Sequence, residues 1–339
     1  MNSRERILSL FAGEEVDRVA CFTGMGTVWG VALEHYGYRF SDIHSNAEKM
    51  ARIASYPAET FGYECAVVPF DLCIEAELLG SEINTFLDSD KPLYPKPRNP
   101  IIGSEEEMEQ LEIPLELNGL GRLSLVKEAI RDLKETVGEK VPVGSFVLGP
   151  YTLASQIIDF NKLLRFTIKK PDELNDLLAN LTVLIIKVAQ EYEKAGVDYI
   201  TVREMSGTTD IVPPPFFQNI IFPHLQQIFN KIKCPSVMHI CGGTIPVLRE
   251  MFESGAEAVS VENKNGLAEV RRILGEQVLL FGNLDGFELL ENGTVEDIFS
   301  AVKKCLDEGS DGLWPACEIS LDTPEENYKA MIDAVKKYG

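Results

Sequence analysis

Eight short runs of β-branched and aromatic residues punctuate this chain, and helical periodicity fills most of the space between them. The runs are VACFTG (19–24), CAVVPF (65–70), VPVGSFVLG (141–149), YITVRE (199–204), PSVMHICG (235–242), AVSVEN (258–263), VLLFGN (278–283) and GLWPAC (312–317). Strands alternating with helices predict a parallel sheet covered by helices. Eight such units close into one (β/α)8 TIM-type barrel, and 339 residues suit a single large domain of that kind over 1–339.

The helices carry their own punctuation. PDELNDLLANLTVLIIKVAQEYEKAG begins on Pro171 and stops at Gly196, and TVEDIFSAVKKCLDEG ends on Gly309; proline favours a helix start and glycine its end. The opening SRERILSLFAGEEVDRV predicts a helix packed ahead of strand one. Between strands two and three lie about 70 residues, including LLGSEINTFLDSDKPLYPKPRNPIIGSEEEMEQLEIP. Residues 74–138 are expected to form a lid-like excursion over the barrel mouth, since long loops in compact domains are usually functional.

Charge narrows the partners. With 32 Lys+Arg against 53 Asp+Glu the net charge is -21, a field that repels a phosphate backbone, so nucleic acid is not expected. No basic segment followed by an apolar stretch opens the chain, and no long uninterrupted apolar run follows, so a cytoplasmic protein without a membrane partner is expected. Seven cysteines, an odd and scattered set, argue against a disulfide framework and leave thiols for metal or catalysis.

Barrel chemistry sits at the C-terminal ends of the strands. His239 and Cys241 end strand five in MHICGG, and residues two apart on a strand face the same side. Alone, that triplet reads first as a buried cysteine and a hydrogen-bonded core histidine. Cys317, in WPACEIS at the end of strand eight, adds a third ligand, and two thiolates with one imidazole select zinc. Cys21, Cys65, Cys73, Cys234 and Cys305 are read as small hydrophobes. Acids end other strands: Asp71, Glu204, Glu262 and Asp285, of which Asp71 and Glu262 are the catalytic candidates. Glu262 is expected to fill the open metal position when substrate is absent. Gly242 and Gly243, which allow close backbone approach, and Asn283 are the candidate cofactor-binding positions.

These residues, with NSRERILSLFAGEEVDRV, VPFDLCIEAELLGSEIN, GPYTLASQIIDFNKLLRFTIKKPDEL, PSVMHICGGTIPVLREM, LLFGNLDG and ACEISLDTPEENYKAMIDAVKKYG, resemble the methylcobamide:coenzyme M methyltransferases of the uroporphyrinogen decarboxylase superfamily over nearly the whole chain. The resemblance implies a zinc held by His239, Cys241 and Cys317. It also implies a small thiol activated there, and a methylcobamide (cobalamin) carried by a separate corrinoid protein. Three alternatives stay open. One is a first methyltransferase passing methyl from a methylated ether, amine or thioether to cob(I)alamin; the others are a porphyrinogen decarboxylase and a non-catalytic zinc-binding barrel. Asp71 in PFDL matches the decarboxylase aspartate, whereas FTGMGTVWG lacks the arginine-rich loop of decarboxylases. REMSGTTDIVPPPFF and Glu318 depart from the methyltransferase pattern where substrate should bind. DIHSNAE begins like the D-x-H-x-x-G cobalamin motif but has Ala47 in the glycine position, so His44 is read as a surface residue.

Overall fold

The computed structural model describes residues 1–315 and 317–339. Each of the eight runs contains a strand: β1 (Ala20–Cys21), β2 (Ala66–Val67), β3 (Val143–Leu148), β4 (Tyr199–Arg203), β5 (Ser236–Ile240), β6 (Ala258–Val261), β7 (Leu279–Phe281) and β8 (Gly312–Leu313). All neighbours pair in parallel, in the order β1-β8-β7-β6-β5-β4-β3-β2. The ends of that order also touch. The Glu64 N–H donates to the Cys21 carbonyl at 3.0 Å, and the Thr23 N–H reaches Cys65 Sγ at 3.3 Å. The fold is a TIM-type (β/α)8 barrel, as the alternation predicts.

Several strands are shorter than their runs. Pro69 follows β2, Pro142 precedes β3 and Pro315 follows β8; proline has no N–H to give to a ladder. Of the run 312–317, Ala316 lies outside the described residues.

Aromatic side chains fill the lower barrel. Phe22 meets Phe281 at 5.0 Å and Trp314 at 5.4 Å between ring centroids. Two strand glycines make room for them. A Cβ on Gly144 would lie 2.5 Å from the Tyr199 ring, and one on Gly312 would lie 2.7 Å from Phe22. The N-terminal helix (Ser3–Phe11) closes the floor. Asn2 and Glu5 cap it reciprocally, and Phe11 stands 5.8 Å from Tyr199 and 5.7 Å from Phe281. Arg6 fastens that helix to Asp17 and to the buried Glu64.

After β2 the chain forms a short helix (Ile74–Leu78), an antiparallel hairpin pairing Ile83–Asn84 with Lys96–Pro97, and a second short helix (Glu105–Glu109). It returns through Leu123–Thr136, which packs against Ala47–Phe61 and Pro171–Ala195 as part of the outer helical ring. Among the described residues no helix is long and apolar enough to cross a membrane.

Candidate metal centre

The end of β5 supplies two side chains to the barrel interior because the pleat puts residues two apart on one face. His239 is fully buried, and its Nε2 lies 3.3 Å from Cys241 Sγ. Cys241 Sγ lies 2.9 Å from Cys317 Sγ, which arrives from the segment after β8. One ligand atom from each of these three residues lies within 4.8 Å of the other two. Among the described residues no other His, Cys, Asp or Glu trio converges in this way.

The donor set fits zinc. His239 Nδ1 is 3.0 Å from the hydroxyl of Ser260, its cross-strand partner on β6. That contact occupies one ring nitrogen and leaves Nε2 facing the sulfurs, the outer-shell arrangement of ligating histidines. Two sulfurs about 2.3 Å from a tetrahedral zinc stand about 3.8 Å apart. The present pair stands closer than that, at 2.9 Å.

Charge is unevenly shared between the two thiols. A hydrogen bond from Cys241 holds the Cys317 thiol well below its ordinary value against the effect of burial; His239 and the Arg203 guanidinium add to the lowering. Cys241 is pushed far up in turn, by that same hydrogen bond to Cys317 and by burial.

The other expected residues lie around this trio. The Glu262 carboxylate accepts the Gly242 backbone N–H and is not one of the converging ligands. Gly242 has φ +73°, and a Cβ there would lie 2.6 Å from Asp210 Oδ2 and 2.7 Å from Thr208 Oγ1. The Gly243 N–H donates to Asp210 Oδ2 at 2.8 Å, and its carbonyl accepts from Thr209 Oγ1 at 2.7 Å. The two glycines thus lock the loop after β5 against the loop after β4. Asn283 gives its amide N–H groups to the carbonyls of Glu262 (3.0 Å) and Asn265 (2.8 Å), bracing the same loops. Asp285 accepts from the Phe287 and Glu288 N–H groups at 2.8 Å and shapes a turn.

Two further acids, Glu204 and the catalytic candidate Asp71, are buried. Glu204 accepts from the N–H groups of Tyr151 (3.0 Å) and Thr152 (2.8 Å) at the start of helix Pro150–Ile157. Burial nonetheless pushes its carboxyl up to about 7. Asp71 is paired with Arg122 at 2.7 Å and 3.0 Å and lies 3.1 Å from His44 Nδ1. Burial alone would raise it, but the His44 hydrogen bond and the Arg122 guanidinium hold it well below the usual carboxylate range. His44 is therefore not the surface residue its polar neighbours suggest. It is fully buried, because Asp71 and Arg122, distant in sequence, close over it.

A cavity of about 300 Å³ opens beside this cluster, lined by Phe70, Asp71, Tyr94, Lys96, Gln156 and Glu318. Glu318, the residue after Cys317, belongs to its lining. The hairpin after β2 forms one of its walls, through Tyr94 and Lys96. Burial raises the Glu318 carboxyl. Sequence reasoning missed Arg203 and Ser260. A readable signal existed for the former. Tyr199, Thr201 and Arg203 share one face of β4, and that face looks into the barrel, where Thr201 meets Gly24 and Tyr199 meets Phe11.

Fold, ligand trio and neighbouring cavity together define a barrel enzyme of one family. The chain belongs to the uroporphyrinogen decarboxylase (URO-D) family, whose model matches residues 2–338. Within that family its relatives include methyltransferases. It is 30% identical over 99% of its length to the methylcobamide:CoM methyltransferase MtaA of Methanosarcina barkeri, covering 98% of that protein. It is 25% identical to the methylated-thiol–coenzyme M methyltransferase of Methanosarcina mazei, covering 99% of this chain and 90% of that protein. The solved structure of a methyltransferase from Methanosarcina mazei superimposes with a TM-score of 0.94 at 30% identity, covering 100% of this chain and 99% of that one.

Proposed function

We propose that this chain is a zinc-dependent corrinoid methyltransferase, moving a methyl group between a methylcorrinoid on a separate protein and a small thiol such as coenzyme M. The observation that carries the reading is the convergence of His239, Cys241 and Cys317 within 4.8 Å at the barrel mouth. Zinc held by those residues would supply Lewis acidity, lowering the pKa of an incoming thiol so that it is nucleophilic at neutral pH.

The chain's own residues do the rest. Ser260 fixes the His239 ring, and the Gly242–Gly243 turn, braced by Glu262, Asp210 and Asn283, fixes the backbone carrying Cys241. The cavity beside Glu318 receives the remainder of the thiol and is of a size suited to a small molecule. The attacking thiolate forms a carbon–sulfur bond with the methyl group while the cobalt–carbon pair stays on cobalt, giving a thioether and cob(I)alamin. The corrinoid is the carrier of the difficult chemistry, and the protein supplies orientation. The hairpin after β2 and the mouth loops form the docking face for the corrinoid protein.

The test is anaerobic spectroscopy. Purified protein with methylcob(III)alamin is given coenzyme M, homocysteine and tetrahydrofolate in turn. Formation of cob(I)alamin with one thiol, abolished by zinc removal, is the expected result. Silence with all three from zinc-loaded protein would overturn transfer to these acceptors; methyl transfer from a panel of methylated donors to cob(I)alamin would then establish the reverse direction.

A further inference from the structure

Arg203 ends β4 directly opposite His239 in register and is 3% exposed. Its guanidinium lies over the Phe146 ring at 4.8 Å, and Nη2 stands 3.6 Å from Met205 Sδ and 3.7 Å from Cys317 Sγ. Nε has no partner. Among the described residues the guanidinium's side-chain contacts are to the two sulfurs and the Phe146 ring, with no carboxylate hydrogen-bonded to it; its charge opposes the upward push of burial on the Glu318 carboxyl.

A buried guanidinium without a counter-charge is costly. What Arg203 does face is sulfur. A divalent ion held by two thiolates and a neutral imidazole is electrically neutral, and a third sulfur entering as an anion gives the centre one net negative charge. Arg203 lies where that charge would form.

We propose that Arg203 is the counter-ion of the sulfur centre, a positioning residue that selectively stabilises an anionic thiol entering beside Cys241 and Cys317. The inference rests on the metal-thiol reading above and adds to it a charge test for what the fourth position accepts. A thiol, which enters as an anion, gains from Arg203. A neutral ligand of similar size gains nothing.

The experiment uses the full chain loaded with Co²⁺, whose absorption bands report the ligand at the fourth position without any corrinoid. Mercaptoethanol and imidazole are titrated separately into wild type, Arg203→Met and Arg203→Lys. A charge pair in a buried setting predicts that Arg203→Met weakens mercaptoethanol by roughly tenfold or more while imidazole changes by less than about twofold, with Arg203→Lys between. Should Arg203→Met not take up cobalt, Arg203→Lys and Arg203→Gln give the same comparison. Unchanged thiol affinity, or equal loss of both ligands, would overturn the counter-ion role and leave the proposed function standing. Wild-type protein that binds imidazole but no thiol would overturn both.

Discussion

His239 and Ser260 face each other across β5 and β6, the ring Nδ1 3.0 Å from the hydroxyl. The contact presents Nε2 to the two sulfurs. Ser260→Ala is expected to lower zinc affinity by roughly ten- to a hundredfold, the usual effect of losing such a partner. Competition with a chromophoric chelator measures it. Unchanged affinity would mean that packing alone orients the ring.

Cys317 joins the segment after β8 to the pair on β5. Cys317→Ala is expected to lose bound zinc and methyl transfer together while keeping its circular dichroism. Metal analysis and the cob(I)alamin assay on one preparation decide it. Full turnover by metal-free Cys317→Ala would sink the assignment.

Glu75 is fully buried and accepts the Leu148 N–H at 3.0 Å. Burial raises its carboxyl from 4.5 to about 7. A carboxyl raised on folding stabilises the protein fully below its unfolded value, and that contribution is lost as pH climbs through the folded value. Glu75→Gln should therefore stabilise the protein by roughly 2–3 kcal/mol at pH 8 and by less than about 1 kcal/mol at pH 5. Urea unfolding at the two pH values gives the difference; an equal effect at both would refute it.

Asp71 has the opposite sign. Held well below its ordinary value by His44 and Arg122, it contributes stability above the unfolded carboxylate range and loses it as pH falls. Asp71→Asn removes one of the two carboxylates paired with Arg122, leaving Glu77 at 3.0 Å, and the expected loss at pH 7 is about 2–3 kcal/mol, below the cost of a fully uncompensated buried charge and shrinking as the solution is acidified. Denaturant midpoints across pH 3.5–7 read the trend.

The barrel was legible because each strand is a short apolar run bounded by turn residues, and His239 and Cys241 were legible because strand parity puts them on one face. Cys317 stood out as the remaining cysteine at a strand end. Parity also marks Arg203, but an arginine after YITV reads as a strand terminus until its neighbours are known. His44 could not be read locally. Its burial depends on Asp71, 27 residues on, and Arg122, which comes a further 51 residues later. Glu262, expected near the metal position, accepts the Gly242 N–H through one carboxylate oxygen. The φ of +73° at that glycine aims the amide, and sequence spacing does not reveal this.

Phe11 and its helix seal the lower end of the barrel against Tyr199 and Phe281. On the proposed reading, the site can then be approached only from the mouth, and a thiol and a methyl carrier would have to use that one side in turn. The thiol would enter first, the carrier would then cover the opening, and the thioether would leave only after the carrier had gone. Steady-state kinetics should follow a compulsory order, with excess carrier protein inhibiting by covering the opening before the thiol arrives.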